Sequence, residues 1–375
     1  MKTAIVHEWL DTYAGSERVL EQMLACWPDA DLFAVCDFMP QAERGFLDGR
    51  DVRTSFIQRL PFAQRHFRKY LGLMPMAVEQ FDLTEYDLVL SSSHAVAKGV
   101  LTAPHTLHVS YVHSPMRYAW DLQHQYLRES GLDRGLKGLY ARRLLHRLRG
   151  WDQASAARPD LLIANSSYIA ARIEKSWRRE ASVIHPPVDV DGFPFQATKQ
   201  EYYLIASRLV PYKRIELVAE AFRAMPDRRL IVVGDGPSAP RVAAAAAGAP
   251  KIELRGRLPR AELVTLMQGA RAAIFAAEED FGIATVEAQA CGTPVIAFGR
   301  GGVRDIVRPA PGPDATGLFF AEQSAAAIRD AVSRFEVLAP AIAPEACRAN
   351  AERFGEAHFR AAITGFVTAA LERRA

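Results

Sequence analysis

Long apolar runs are missing from this chain. No stretch approaches the roughly 20 consecutive apolar residues that a bilayer-crossing helix needs, which argues against a helical membrane span. A signal-peptide core is missing too: Lys2 is followed at once by the strand-like Ala4-Ile5-Val6, so a cytoplasmic protein is expected. Cysteine is scarce. Cys26, Cys36, Cys291 and Cys347 are the only four, without metal-ligand spacing, which speaks against a disulfide scaffold or a zinc module and for reduced residues. Charge of one sign is not in excess either. A net charge of +3 is too small to imply nucleic-acid binding by itself. Low complexity is confined to Ala243–Ala247, read as an alanine-rich helix.

What is present is the composition of a globular protein, 49% hydrophobic and 24% charged, in a chain of 375 residues that is long for one core and suits two domains. Apolar runs alternate with helical patterns. Thr3–His7, Leu32–Cys36, Leu88–Ser92, Leu107–His113 and Leu161–Ala164 read as strands, and their alternation predicts a doubly wound parallel sheet. After the stiff connector around Pro186-Pro187 the pattern restarts with Tyr202–Ala206, Leu230–Val233, Ile252–Leu254, Ala272–Phe275 and Pro294–Ala297. A terminal helix is expected from His358 to Arg373, through Phe359, Ile363, Phe366 and Ala370.

The most informative stretch runs from Glu279 to Pro294, where Glu279 and Glu287 bracket the start of a helix. Gly282 opens that helix and frees the amides of Ile283, Ala284 and Thr285, a terminus that attracts phosphate through its donors and dipole. The flanking carboxylates can then accept hydroxyl hydrogen bonds from a sugar and a ribose. The competing reading is an ordinary capped helix with a solvated Glu287, although a carboxylate among Ala284, Val286, Ala288 and Ala290 is expensive without partners.

Other candidates sit at predicted strand ends. Gly15, before a helix expected near Glu17, lets backbone approach a ligand or simply makes a turn. Arg208, just past a strand, and Lys213, at the next helix start, together can balance a diphosphate, while a solvated lysine is the commoner case. Gly234 in Val233-Gly234-Asp235-Gly236-Pro237 admits a ligand closely or serves the turn alone. His113 follows a strand beside Pro115 and an aromatic cluster, as a ligand contact or a structural histidine. Two basic segments, Arg59–Tyr70 and Arg134–Arg149, read as surface helices; the second carries an apolar face, Leu132 to Leu148, beside its cations, and the aromatics Phe62, Phe67, Tyr70 and Tyr140 lie among the charges. Either a solvated surface or peripheral contact with an anionic membrane fits.

Gly15, His113, Arg208, Lys213, Glu279 and Glu287, with Ser-Arg-Leu-x-x-x-Lys, Glu-x7-Glu and Ala-Cys-Gly-Thr-Pro-Val, resemble the retaining glycosyltransferases of family 4 over nearly the whole chain. Tyr111 to Asp121 looks like a narrower branch that includes bacterial mannosyltransferases of the WbaZ type. The resemblance implies a GT-B fold, two doubly wound Rossmann-like α/β domains facing a cleft: an acceptor-side domain over 1–186, a donor domain over 187–355, and a helix over 356–375 returning to the first. It implies Arg208 and Lys213 on the donor diphosphate, Glu287 on the ribose, Glu279 on the transferred sugar, and the amides near Ile283 and Ala284 on phosphate and sugar. It further implies that His113 faces the sugar or reacting centre and that Gly15 lies under the donor phosphate or acceptor. Gly234, Phe281, Gly282 and Thr285 complete the donor-binding set.

No metal or other cofactor is implied; the donor is a substrate, GDP-mannose by the branch, with a lipid-linked or oligosaccharide acceptor in bacterial polysaccharide synthesis. Asp29/Asp31 and Asp189/Asp191 look like metal motifs in isolation but read as turn and linker. The chain departs from the family pattern at Ala14, Asp280 and Pro186-Pro187, where glycine, glycine and Asn-Gly are usual. Alternatives are a UDP-sugar enzyme of the same fold, a non-catalytic nucleotide-sugar-binding subunit, an epimerase or a phosphorylase.

Overall fold

The computed structural model describes residues 1–374. The chain forms two compact units, one of Met1–Pro186 with the segment from Phe359 onward, the other of Pro187–His358. In the first, the strands are β1 (Thr3–His7), β2 (Asp31–Ala34), β3 (Val52–Thr54), β4 (Leu88–Ser93), β5 (Leu107–Val112), β6 (Leu161–Ala164) and β7 (Ser182–Val183). They make a seven-stranded sheet in the order β3-β2-β1-β4-β5-β6-β7, with every pairing parallel. The second unit holds β8 (Tyr203–Ala206), β9 (Leu230–Val233), β10 (Ile252–Leu254), β11 (Ala272–Phe275), β12 (Val295–Phe298) and β13 (Gly317–Phe320), ordered β10-β9-β8-β11-β12-β13 and again parallel. Both are doubly wound α/β sheets.

Strand alternation distributes each core over two faces. On β1, Ala4 and Val6 join Phe33, Val89 and Leu148 on one side. Ile5 joins Leu20, Leu32, Leu90 and Tyr111 on the other, where the helix Glu356–Glu372 adds Phe359, Ile363 and Val367. In the second unit Tyr203, Leu230 and Val232 pack on one face and Leu204, Ile231 and Val233 on the opposite one. A strand buried on both sides reads as a continuous apolar run, which is why these segments are legible in sequence.

An ion pair ties the long helix Gly135–Ser155 into the first unit. Lys98 Nζ lies 2.6 Å from Asp152 Oδ1 with both side chains buried, and Asp152 Oδ2 accepts from the indoles of Trp120 at 2.7 Å and Trp177 at 2.8 Å. All carboxylate oxygens are occupied, the condition under which a buried pair holds rather than strains a core.

Some sequence expectations need correction. The segment Arg59–Tyr70 is not a surface helix: it breaks into Ala63–His66 and a 3-10 turn over Phe67–Tyr70. Phe62 there takes a left-handed φ of 55°, which interrupts the helix, and Phe67 is buried in the core beneath Trp9 and Phe38. The first helix begins at Gly15 rather than near Glu17. The strands β3, β7 and β13 were not anticipated.

The strand-end turn at Gly234 cannot take a side chain. Its φ is +134°, and a Cβ there would sit 1.8 Å from the Ser207 carbonyl oxygen. Gly365 is exposed inside the helix Glu356–Glu372 with open space around it. We therefore expect Gly234→Ala to cost roughly 2–4 kcal/mol and Gly365→Ala to stabilise by about 0.5–1 kcal/mol, read by urea unfolding of the two variants.

Candidate functional site

In an open α/β sheet the loops on either side of the strand where winding reverses diverge and leave a crevice at the carboxyl edge. In the second unit that point lies between β8 and β11. β8 runs out into Ser207 and Arg208, and β11 into Ala276, Ala277 and Glu279. Over this crevice Lys213 Nζ meets Glu279 Oε1 at 2.5 Å, both side chains mostly shielded, in a pocket also lined by Ser207, Ile274, Ala276 and Ala277. Lys213 is held at the end of the 3-10 turn Pro211–Lys213: proline presets the first φ, and Arg214 turns the chain with a left-handed φ of 54°. Arg208 is exposed at the rim with no side-chain partner among the described residues.

Glu279 is fixed through its backbone. Its carbonyl accepts from Gly302 N at 2.8 Å, and Gly301 comes so close that a Cβ would lie 2.4 Å from that oxygen, with φ at +85°. Gly282, φ +104°, then starts the helix Ile283–Ala290, with Thr285 N donating to its carbonyl at 2.9 Å. The amides of Ile283 and Ala284 donate to no protein acceptor among the described residues, as expected of a helix's first turn. Glu287 lies one turn on and is buried. The ring of Phe281 is also buried, edge-on to Phe354 at 5.6 Å, and packs in the core rather than lining the pocket. Thus Lys213, Glu279, Gly282, Ile283, Ala284, Thr285 and Glu287 cluster; Gly234 sits at the end of the neighbouring β9.

In the first unit the equivalent reversal falls between β1 and β4. The carboxyl ends of β1, β4 and β5 bring His7, Ser92 and His113 together, since His7 pairs with Ser92, and Ser92 with Tyr111, in the strand register. Ser92 Oγ lies 2.9 Å from His113 Nε2 and 3.1 Å from His7 Nδ1, and His7 Nε2 lies 3.3 Å from Glu17 Oε1. Glu17 Oε2 accepts from Ala14 N at 3.0 Å, half of a capping box whose other half an alanine N-cap cannot supply. Gly15 is the first residue of that helix. Burial pushes the Glu17 carboxyl up, but the hydrogen bonds it accepts, that from His7 foremost and that from Ser16 with it, outweigh this and hold it below its ordinary value.

A second buried carboxylate shapes the same edge. Glu8 is fully enclosed and accepts from Ser93 Oγ and from the amides of His94, Ala95, Val96 and Ala97 at 2.7–3.0 Å. Burial alone would raise its pKa; the adjacent His94 and these amides lower it overall. The clamp presents His94 edge-on to Trp9, with ring centroids 4.7 Å apart, and 6.4 Å from His113. Sequence reasoning singled out His113 and Gly15 but missed His7, Glu8, Glu17, Ser92 and His94. Their signal was polar residues in succession at the ends of apolar strands, His7-Glu8 and Ser91-Ser92-Ser93-His94.

Residues 13–191 match the family model described as Glycosyltransferase Family 4, and residues 192–354 the model described as Glycosyl transferases group 1. The chain belongs to the GT-B glycosyltransferases. A D-inositol 3-phosphate glycosyltransferase of Mycobacterium sp. (strain JLS) is 33% identical over 173 residues, covering 40% of this chain and 39% of that protein. Its counterpart in Geodermatophilus obscurus is 32% identical over 188 residues, 42% of each chain. The chain thus spans about two fifths of the length of these curated relatives. Among solved structures, sucrose-phosphate synthase from Thermosynechococcus elongatus superposes with a TM-score of 0.69 at 16% identity, covering 100% of both chains. Anabaena HepE in complex with UDP and glucose gives 0.67 at 17% identity, over 98% of this chain and 99% of that one. None of the proteins named here is described as a mannosyltransferase.

The histidines of this GT-B glycosyltransferase make its first unit acid-sensitive. Burial lowers His113 and His108 to about 3, with the neighbouring His94 and His7 adding to the effect on His113 and Arg158 to that on His108. The unfolded chain takes up a proton on each near 6.5, so stability is whole above that value and declines as pH falls from it toward 3. Thermal melts should show the midpoint dropping between pH 7.5 and 5, less steeply in His108→Leu; a flat profile in the wild type would refute the assignment.

Proposed function

We propose that the chain transfers a hexose with retention from a nucleoside diphosphate sugar, GDP-mannose in the primary reading, to a hydroxyl of a lipid-linked or oligosaccharide acceptor in bacterial polysaccharide assembly. The observation that carries the reading is the Lys213 and Glu279 pair at the switch point, beside the unpaired first-turn amides of Ile283 and Ala284 and the buried Glu287. A diphosphate there meets a cation, helix N-terminal donors and a rim guanidinium from Arg208, with Glu287 toward the ribose. The bond between the anomeric carbon and the diphosphate oxygen breaks, the acceptor oxygen bonds to the same face, and the acceptor proton passes to the departing phosphate. Lys213 and Arg208 stabilise the charge that grows on that phosphate, an interaction stronger in the transition state than before it. The contact of His113 with the transferred sugar is assigned by family resemblance.

Mannose rests on the block Tyr111 to Asp121. A second reading, a UDP-sugar donor, is favoured by the full-length likeness to HepE, whose structure holds UDP and glucose. We also propose that the long helix Gly135–Ser155 rests on an anionic membrane. Leu136, Leu139 and Tyr140 are 86%, 65% and 69% exposed, next to Arg134, Lys137, Arg142, Arg143 and Arg147. The opposite side of the helix, through Leu145 and Leu148, is spent on the core.

Two experiments test these readings. Calorimetric titration with GDP-mannose, GDP-fucose, UDP-glucose and UDP-N-acetylglucosamine should show selective GDP-mannose binding, weakened at least about tenfold in Glu287→Ala, while Lys213→Ala loses about 10²–10³ in turnover. Tighter binding of a UDP-sugar would replace mannose, and unchanged turnover in Lys213→Ala would remove the mechanism. Sedimentation with phosphatidylglycerol vesicles should recover the protein, phosphatidylcholine vesicles should not, and Leu136→Asp/Tyr140→Asp should abolish recovery; equal behaviour on both lipids would end the membrane proposal.

A further inference from the structure

The row of groups from Glu17 to His113 has a direction. We propose that Glu17, acting through His7 and Ser92, is a positioning residue that locks His113 in its Nε2–H tautomer and keeps Nδ1 bare as a hydrogen-bond acceptor for a substrate hydroxyl. The role toward substrate rests on the reading above; the tautomer does not.

The argument is one of donors and acceptors. An ionised carboxylate only accepts. Glu17 already accepts from the Ala14 amide and from Ser16 Oγ, both at 3.0 Å, and these donors favour its ionised form. His7 must therefore present Nε2–H to Glu17 Oε1. With His7 neutral its other nitrogen is an acceptor, so the Ser92 hydroxyl donates its hydrogen bond to His7 Nδ1. With its one O–H engaged there, Ser92 Oγ can serve His113 only as an acceptor, and His113 Nε2 must carry the hydrogen. His113 Nδ1 is left bare, with no partner among the described residues.

The surroundings hold the ring in place. His113 N donates to Ser93 O at 2.8 Å, its carbonyl accepts from Asn165 Nδ2 at 3.0 Å, and Tyr111 packs against the ring with centroids 5.2 Å apart. His7 is wholly buried and Glu17 almost so, which shields the row from water that could reorder it. The bare Nδ1 fits a ligand that offers a hydroxyl, as a sugar does. A ligand presenting only an acceptor there would face two opposed lone pairs.

The nearby Ser91 provides a control. It lies on the same strand but contacts a different imidazole, with Oγ 2.9 Å from His108 Nε2.

The experiment is long-range proton–nitrogen NMR of the ¹⁵N-histidine-labelled full chain at pH 8, above the ordinary imidazole pKa of about 6.5, without any ligand, His113 being assigned by loss of its signals in His113→Gln. The wild type should show the limiting nitrogen shifts of a single Nε2–H form and a slowly exchanging Nε2 proton. Ser92→Ala should move both nitrogens toward averaged values and lose that proton to exchange, Ser92→Thr should restore the wild-type pattern, and Ser91→Ala should change His108 and leave His113 alone. Glu17→Gln should shift His113 signals although the two residues do not touch. An Nδ1–H form, averaged shifts in the wild type, or a Ser92→Ala spectrum identical to wild type would overturn the proposal. Because no donor is present, failure of the glycosyl-transfer reading leaves this result standing, and a locked tautomer with no effect of Ser92→Ala on turnover would separate the two.

Discussion

A parallel sheet delivers the carboxyl ends of all its strands to one edge, and this constraint organises both units. Wherever the winding order reverses, two adjacent strands send their loops in opposite directions and the space between is left for side chains. In the second unit that space holds Lys213 and Glu279; in the first it holds His7, Ser92 and His113. Neither group is close in sequence. Glu279 lies 66 residues from Lys213, and Ser92 lies 85 from His7. Their meeting follows from register, which is itself set by burial on both faces of the strands.

Placing charges at such an edge requires partners, because an unpaired buried carboxylate is penalised by several kcal/mol. Three carboxylates, Glu8 and Asp152 in the first unit and Glu279 in the second, meet this requirement differently. Glu8 is surrounded by a loop that supplies four backbone amides and a hydroxyl, so the loop is shaped to its carboxylate. Asp152 is satisfied by a lysine and two indoles that come from separate parts of the chain. The first arrangement fixes a local conformation, and the second pins a long helix. Glu279 meets the single cation of Lys213 among the described residues and lines the pocket.

Much of this architecture was readable from residue order. Five of the seven strands in the first unit and five of six in the second stood out as apolar runs. The others failed for identifiable reasons: β3 is short with no buried residue, β7 is an exposed two-residue edge, and β13 begins at a glycine after a segment rich in proline and glycine. The Glu279 to Glu287 motif was legible because a helix terminus confines it to one short segment. The histidine row was not. It depends on three strands lying side by side, and no local pattern announces a pairing 85 residues apart. At Arg59–Tyr70 periodicity misled, since a left-handed residue and a buried phenylalanine decide the conformation there.

The pair at 2.5 Å between Lys213 and Glu279 means that the crevice contains its own counter-ion. On the diphosphate reading, an incoming anion would not fill a bare positive hole; it would take the place of a carboxylate. A monoanion such as chloride or acetate brings no more charge than the group it displaces, so it gains little by entering, whereas a dianion retains an advantage after the exchange. On that reading Glu279 would act as a valence filter, and the exchange would leave the affinity of the site less dependent on ionic strength than that of an unpaired lysine.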